Sequence, residues 1–184
     1  MQAVLKEMET RMNAAIETLS RELASVRTGR ASASLLDGVR VDYYGTPTPL
    51  NQVGSVSVPD ARTLVIQPWE AGQLKVVEKA LVASDIGITP MNDGKVIRLT
   101  MPTLTEERRK QLAKTVGKIA EEGRVAVRNV RRDANDQLKA MAKDKKISED
   151  DERRGHTEIQ KTTDRFIAKV DDLLKKKEQE ILSF

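Results

Sequence analysis

The sequence predicts an α+β protein: a long three-helix bundle into which a small β/α/β domain is inserted. Apolar residues recur at helical spacing over both ends of the chain, whereas between residues 31 and 104 the period falls to two, the spacing of half-buried strands. The change of period happens at two short stretches, Thr28 to Ser32 and Met101 to Thr105, built of Gly, Ser, Thr and Pro beside a few larger residues.

The first helix is read from residue 2 to about residue 28, because Val4, Met8, Met12, Ala15, Leu19, Leu23 and Val26 step by three and four along one face. Thr28-Gly29 is its expected stop, with glycine free to take the left-handed C-terminal conformation. Val39, Val41 and Tyr43 then alternate with Arg40, Asp42 and Tyr44, and Val56, Val58, Leu64 and Ile66 keep the same spacing. Gly45-Thr46-Pro47-Thr48-Pro49 reads as a turn, since proline cannot donate to a central ladder. A short helix from Gln73 to Ser84, with Leu74, Val77 and Leu81 inward, precedes a last strand through Val96, Ile97 and Leu99.

Thr103-Leu104-Thr105-Glu106 has the Thr-x-x-Glu form of a capping box and announces the second long helix. Leu112, Val116, Ile119, Gly123, Ala126, Val130, Ala134, Leu138 and Met141 are its expected inward positions. The third long helix is expected after Ser148-Glu149-Asp150-Asp151, where acids suit the positive end of the dipole. It carries Ile159, Thr163, Phe166, Val170, Leu173 and Ile181 inward. At 1.5 Å per residue the three helices make a rod roughly 40 to 55 Å long. None can bury its stripe alone, so an up-down-up bundle of residues 1–30 and 105–184 is expected, with residues 31–104 as the insertion. The paired connections, Gly29, Arg30, Ala31 and Ser32 on one side and Pro102, Thr103, Leu104 and Thr105 on the other, read as a hinge.

Composition excludes several function classes. The 184 residues include one His and no Cys, so there is no disulfide framework, thiolate metal site or cysteine nucleophile, and a multi-His metal centre is impossible. No apolar run approaches the ~20 residues of a bilayer span, and Met1 to Glu9 lacks a signal-peptide core, so the expectation is a soluble, unexported, cytosolic chain without membrane contact. No Gly-x-x-x-x-Gly-Lys-Ser/Thr loop, His-Glu-x-x-His or Gly-x-Ser-x-Gly occurs. His156 is expected at a helix boundary, Trp69 in the core or as a plug between domains, and the run Glu149 to Glu152 in helix-start chemistry. An enzyme, a cofactor and a metal are therefore not expected.

The net charge of +4 hides a strong asymmetry. Residues 105–147 carry 13 basic and 7 acidic side chains, a net of +6, while the other three segments lie near zero. On a wheel of about 100° per residue centred on Val130, Arg131 and Arg124 fall near ~100° and ~120°, Arg128 and Lys110 near ~160°, Lys139 near ~180°, and Arg132 and Lys114 near ~200°. Only Glu121 is acidic among them. A one-signed stripe away from the core differs from the alternation that i, i+4 pairing produces, and Arg124, Arg128, Arg131 and Arg132 lie mid-helix, where no dipole favours them. The partner that fits is a polyphosphate, and Arg rather than Lys favours forked contacts. With 2 Phe, 2 Tyr and 1 Trp, stacking of unpaired bases is a poor fit, and structured RNA read by shape a better one. A helical RNA-binding or adaptor protein without a recycling role and a small enzyme are the competing classes; an adaptor binding another coiled coil needs a second exposed apolar stripe and an enzyme needs a polar pocket in residues 31–104.

Four stretches resemble the bacterial ribosome recycling factor family: Arg27-Thr28-Gly29-Arg30-Ala31-Ser32, Tyr43-Tyr44-Gly45-Thr46-Pro47-Thr48-Pro49-Leu50, Leu104-Thr105-Glu106-Glu107-Arg108-Arg109-Lys110 and Val127-Arg128-Asn129-Val130-Arg131-Arg132-Asp133-Ala134-Asn135. The resemblance spans the chain. It implies an L-shaped, tRNA-sized monomer that binds the large subunit of the post-termination ribosome across the aminoacyl and peptidyl positions. With elongation factor G, and GTP hydrolysed by that partner, such a factor splits the subunits. The resemblance further implies that Arg128, Arg131 and Arg132, with Arg109, Arg27 and Arg30, contact ribosomal RNA. The charge stripe reaches the first three independently but not Arg27 or Arg109.

Overall fold

The computed structural model describes residues 1–182 of the chain. The described residues divide into two compact units: residues 1–27 together with 106–182, and Thr28–Thr105.

The first unit is built from α1 (Gln2–Ser25), α3 (Glu106–Lys143) and α4 (Glu149–Leu182), each packed on the other two. Its core joins Met8 and Met12 of α1, Val127, Val130, Ala134 and Leu138 of α3, and Ile159 and Phe166 of α4, all nearly or fully sealed from solvent. The five-residue connection 144–148 reverses the chain between α3 and α4, with Lys145 at a φ of 59°. Ser148 caps α4: its Oγ accepts from the Asp151 N–H at 3.1 Å and donates to the Asp151 carboxylate at 2.8 Å. Close helix approach is set by Gly155, where a Cβ would stand 2.5 Å from the buried Leu138. Arg11–Asp133 tethers α1 to α3 and Arg165–Glu9 tethers α4 to α1.

Helix ends differ from expectation for local reasons. α1 stops at Ser25, because Val26 turns extended at φ −74° and ψ 112°; Gly29, at φ 78°, lies beyond the helix. α3 starts at Glu106 and not within the Thr103-to-Glu106 box. The Thr103 hydroxyl has another task, accepting from Arg62 Nη2 at 2.9 Å.

The inward face of α3 is centred elsewhere than expected. Ala120 and Val127 are buried, while Ile119, Gly123, Ala126 and Met141 are only partly covered. The buried set is centred roughly 40° from Val130, toward Arg131, on a wheel of about 100° per residue. The cause is that α3 packs against two helices at once, so its covered arc is broad and not centred on one residue.

The second unit has a four-stranded antiparallel sheet in the order β3-β4-β6-β5, from β3 (Gly54–Asp60), β4 (Thr63–Pro68), β5 (Met91–Asn92) and β6 (Ile97–Thr100). A separate ribbon pairs β1 (Arg40–Tyr43) with β2 (Thr46–Pro49). Leu64 sits opposite Leu99 and Ile66 opposite Ile97, and these four pack with Val77 and Leu81 of α2 (Leu74–Ala83) and with Val41, Leu50 and Val53. Gly54 is needed where β3 meets β4, since a Cβ would come within 2.6 Å of the Gln67 carbonyl oxygen.

The stretch 45–49 is mostly strand, not turn. The turn is Tyr44-Gly45, both at positive φ (49° and 84°), the conformation that matches strand twist in a two-residue hairpin. Pairs then alternate from the closing pair Tyr43–Thr46, so Pro47 and Pro49 occupy the positions that owe no N–H to the ladder. Both tyrosine hydroxyls donate to Glu70, at 2.6 and 2.8 Å, fastening the ribbon to the end of β4. These bonds, Tyr43 first, hold the Glu70 carboxyl below the usual carboxylate range and push the Tyr43 phenol up. Trp69 is not part of the core: it is 68% exposed. Its place directly after Pro68 ends the inward alternation of β4.

Both connections are bonded to the inserted unit. The Ala31 N–H donates to Ala61 at 2.8 Å and the Met101 N–H to Arg62 at 2.7 Å, so the β3–β4 turn grips each strand of chain. Arg62 also donates to the Met101 carbonyl, Thr28 and Ala31 are buried, and Gly29 lies against Leu104.

Candidate nucleic-acid interface

Because the covered arc of α3 is shifted toward Arg131, the basic stripe does not present all its members equally. Arg132, Lys114 and Lys139 are exposed, whereas Arg131 sits at the flank and is half-buried. Among the described residues neither Arg131 nor Arg132 has a carboxylate within 4.0 Å. Their charge is therefore uncompensated by direct pairing.

Arg124 is committed to the bundle. Its Nε and Nη2 donate to one Asp171 oxygen of α4 at 3.0 and 2.6 Å, and its Nη1 donates to Glu121 at 2.9 Å. The side chain is only 21% exposed. The expectation that it points away from the core is thus corrected: at the edge of the shifted arc, α4 supplies its carboxylate. Arg128 is intermediate, 43% exposed, with Nη1 donating to the other Glu121 oxygen at 3.1 Å. Hydrogen bonds from Arg124 and then Arg128 hold the Glu121 carboxyl below its usual range. The result is a chain of charges, Asp171–Arg124–Glu121–Arg128, that fixes where one carboxylate stands on a basic surface.

Lys110 pairs with Glu106 at 2.9 Å, an exposed i, i+4 contact that binding could exchange freely. Arg109 is half-buried near the start of α3, while Arg27 and Arg30 are exposed on the first connection, apart in sequence from the α3 stripe. His156 lies between Asn135 of α3, 2.6 Å from Nδ1, and Glu152, 3.3 Å from Nε2, a boundary residue joining two helices. Among the described residues no cluster of His, Cys, Asp and Glu could hold a metal ion, and no helix is long and apolar enough to cross a membrane.

Comparison with known proteins decides the family. The family model of ribosome recycling factor matches residues 19–182. The chain belongs to the ribosome recycling factor family. Ribosome-recycling factors of Oleidesulfovibrio alaskensis and Brevibacillus brevis are each 58% identical to it, over 99% of this chain and 99% of the first, and over 98% of this chain and 98% of the second. Among solved structures, a solution structure of the ribosome recycling factor aligns with a TM-score of 0.70 at 40% identity, covering 100% of this chain and 97% of that one. The T. thermophilus ribosome recycling factor, described with the E. coli elongation factor G on the E. coli post-termination complex, aligns with a TM-score of 0.63 at 50% identity, covering 98% of each chain.

Two members of the site escape sequence reasoning. Asp171 is 47 positions from Arg124, and no local pattern links them. Glu121 is visible as the acid at the middle of the stripe, but its contact with two arginines depends on rotamers that spacing does not specify.

Proposed function

We propose that this protein binds the large subunit of the post-termination ribosome through the exposed side of α3 and, together with elongation factor G, separates the subunits for reuse. The observation that carries the reading is membership of the ribosome recycling factor family, with a relative of 50% identity described on the post-termination complex beside elongation factor G. The surface supports it. Arg128, Arg131 and Arg132 with Lys114 and Lys139 form a basic field suited to a phosphate backbone, and Arg27, Arg30 and Arg109 are candidates for further RNA contacts. On this reading the chain catalyses no reaction and works in the cytoplasm, and the energy comes from GTP on the partner, because this sequence has no phosphate-binding loop.

The adaptor alternative finds little support: the large exposed apolar side chains described on the bundle are Val125 and Leu182, too scattered for a second docking stripe.

Motion about the connections completes the proposal. The bonds of Ala31, Met101 and Thr103 to the β3–β4 turn tie those residues to the inserted unit. Gly29, Arg30, Ala31 and Ser32 with Pro102, Thr103, Leu104 and Thr105 remain the hinge region, with its pivot on the bundle side of Ala31 and Thr103.

The test is light-scattering of post-termination ribosomes mixed with this protein, elongation factor G and GTP. Splitting that requires both proteins and GTP is expected. Equal splitting when this protein is left out would contradict the assignment.

A further inference from the structure

We propose that Glu121 is a built-in competitor for phosphate that makes the α3 face selective, weakening its hold on arbitrary RNA more than its hold on the cognate site. The inference rests on α3 being an RNA-binding face and adds the residue that sets its discrimination.

The carboxylate shares one face of α3 with Arg128, Arg132, Lys114 and Lys139, where a surface built only for phosphate would have no acid. It is not a loose side chain. Arg124 holds one oxygen at 2.9 Å and is itself anchored by donating from Nε and Nη2 to Asp171, while Arg128 holds the other oxygen at 3.1 Å. Glu121 is nonetheless 53% exposed, so it meets whatever approaches Arg128. Arg128 keeps Nε and Nη2 for a forked contact, but a phosphate taking that edge must stand near a fixed negative charge. Backbone contact alone, which any RNA offers, is therefore penalised. A ligand recovers the loss only by giving the carboxylate a donor of its own, such as a ribose 2′-hydroxyl or a base amino group placed beside the phosphate. Selectivity by a repulsive element of this kind suppresses wrong partners more than it strengthens the right one.

The experiment measures binding of the full-length protein to the large ribosomal subunit and to a short RNA duplex of arbitrary sequence, over a range of salt. Four proteins are compared: the native chain, Glu121→Gln, Glu121→Ala and Glu122→Gln. The last is the charge control, since Glu122 loses the same charge but lies off the stripe, 4.0 Å from Lys118. Glu121→Gln should bind the arbitrary duplex roughly three- to tenfold more tightly, with a salt slope steeper by about one, while its affinity for the large subunit rises less or falls. Its melting temperature should stay near native, because Asp171 keeps Arg124 in place. Glu121→Ala, which offers no amide to the RNA, should behave alike. Duplex affinity that is unchanged or lower, or that rises equally in Glu122→Gln, overturns the inference and leaves Glu121 as a positioning contact for Arg128 or as bulk charge. Native protein that binds neither ligand in a salt-dependent way overturns the RNA-face reading itself, and this inference with it.

Discussion

Replacing Arg128, Arg131 and Arg132 together by Ala is expected to weaken binding to the large ribosomal subunit on the order of a hundred- to ten-thousand-fold. Each forked contact to phosphate or a guanine edge is worth about 1–3 kcal/mol, and neighbouring contacts need not add. The salt slope should fall by about three, one step of ~0.9 for each phosphate no longer neutralised. Folding should survive, since Arg132 is exposed and neither Arg131 nor Arg132 has a described ion pair. Of the three, Arg131 should carry the largest share of any drop in melting temperature, because it is half-buried at the flank of the bundle core. Equilibrium binding by filtration or co-sedimentation, beside a thermal melt, separates the two effects. A triple variant that melts early but binds normally while folded would place these arginines in the structure and not in the site.

Stiffening the two connections is expected to abolish subunit splitting while leaving binding intact. The chain has no cysteine, so a pair introduced at positions 29 and 104 would be the only thiols. Gly29 already lies against Leu104, with a Cβ built there 3.2 Å from the Leu104 side chain, so the bridge needs little movement. A Cys at a φ of 78° would be strained, costing about 1–2 kcal/mol, which the melt of the reduced protein measures. Oxidised protein should bind the large subunit, fail to split ribosomes with elongation factor G and GTP, and recover on reduction. Splitting at the normal rate while oxidised would make the connections passive tethers.

The long helices could be read from sequence because a stripe repeated over many turns outweighs any local exception. Met8, Met12, Leu19 and Leu23 of α1 are buried as their spacing requires. What could not be read depended on partners distant in the chain. Val130 was a fair centre for α3 on its own pattern, yet contact with both α1 and α4 moves the covered arc, burying Val127 and Ala120 and drawing Arg124 to Asp171. The second strand was hidden because Pro47 and Pro49 argue against a strand until the register shows that neither owes a hydrogen bond. The sequence suggests the core or a plug between domains for Trp69, but the residue follows the last inward residue of β4 and is exposed. The basic stripe was legible because it needs only helical geometry; the ion-pair chain through Glu121 was not, because half of it belongs to another helix.

The central claim, that the exposed side of α3 holds ribosomal RNA by its phosphates, is tested most directly by the salt dependence of native affinity for the large subunit. With about six phosphate contacts available to Arg128, Arg131, Arg132 and the lysines of α3, the affinity should fall about a thousandfold between roughly 50 and 200 mM monovalent salt. Affinity that stays flat across that range would contradict it.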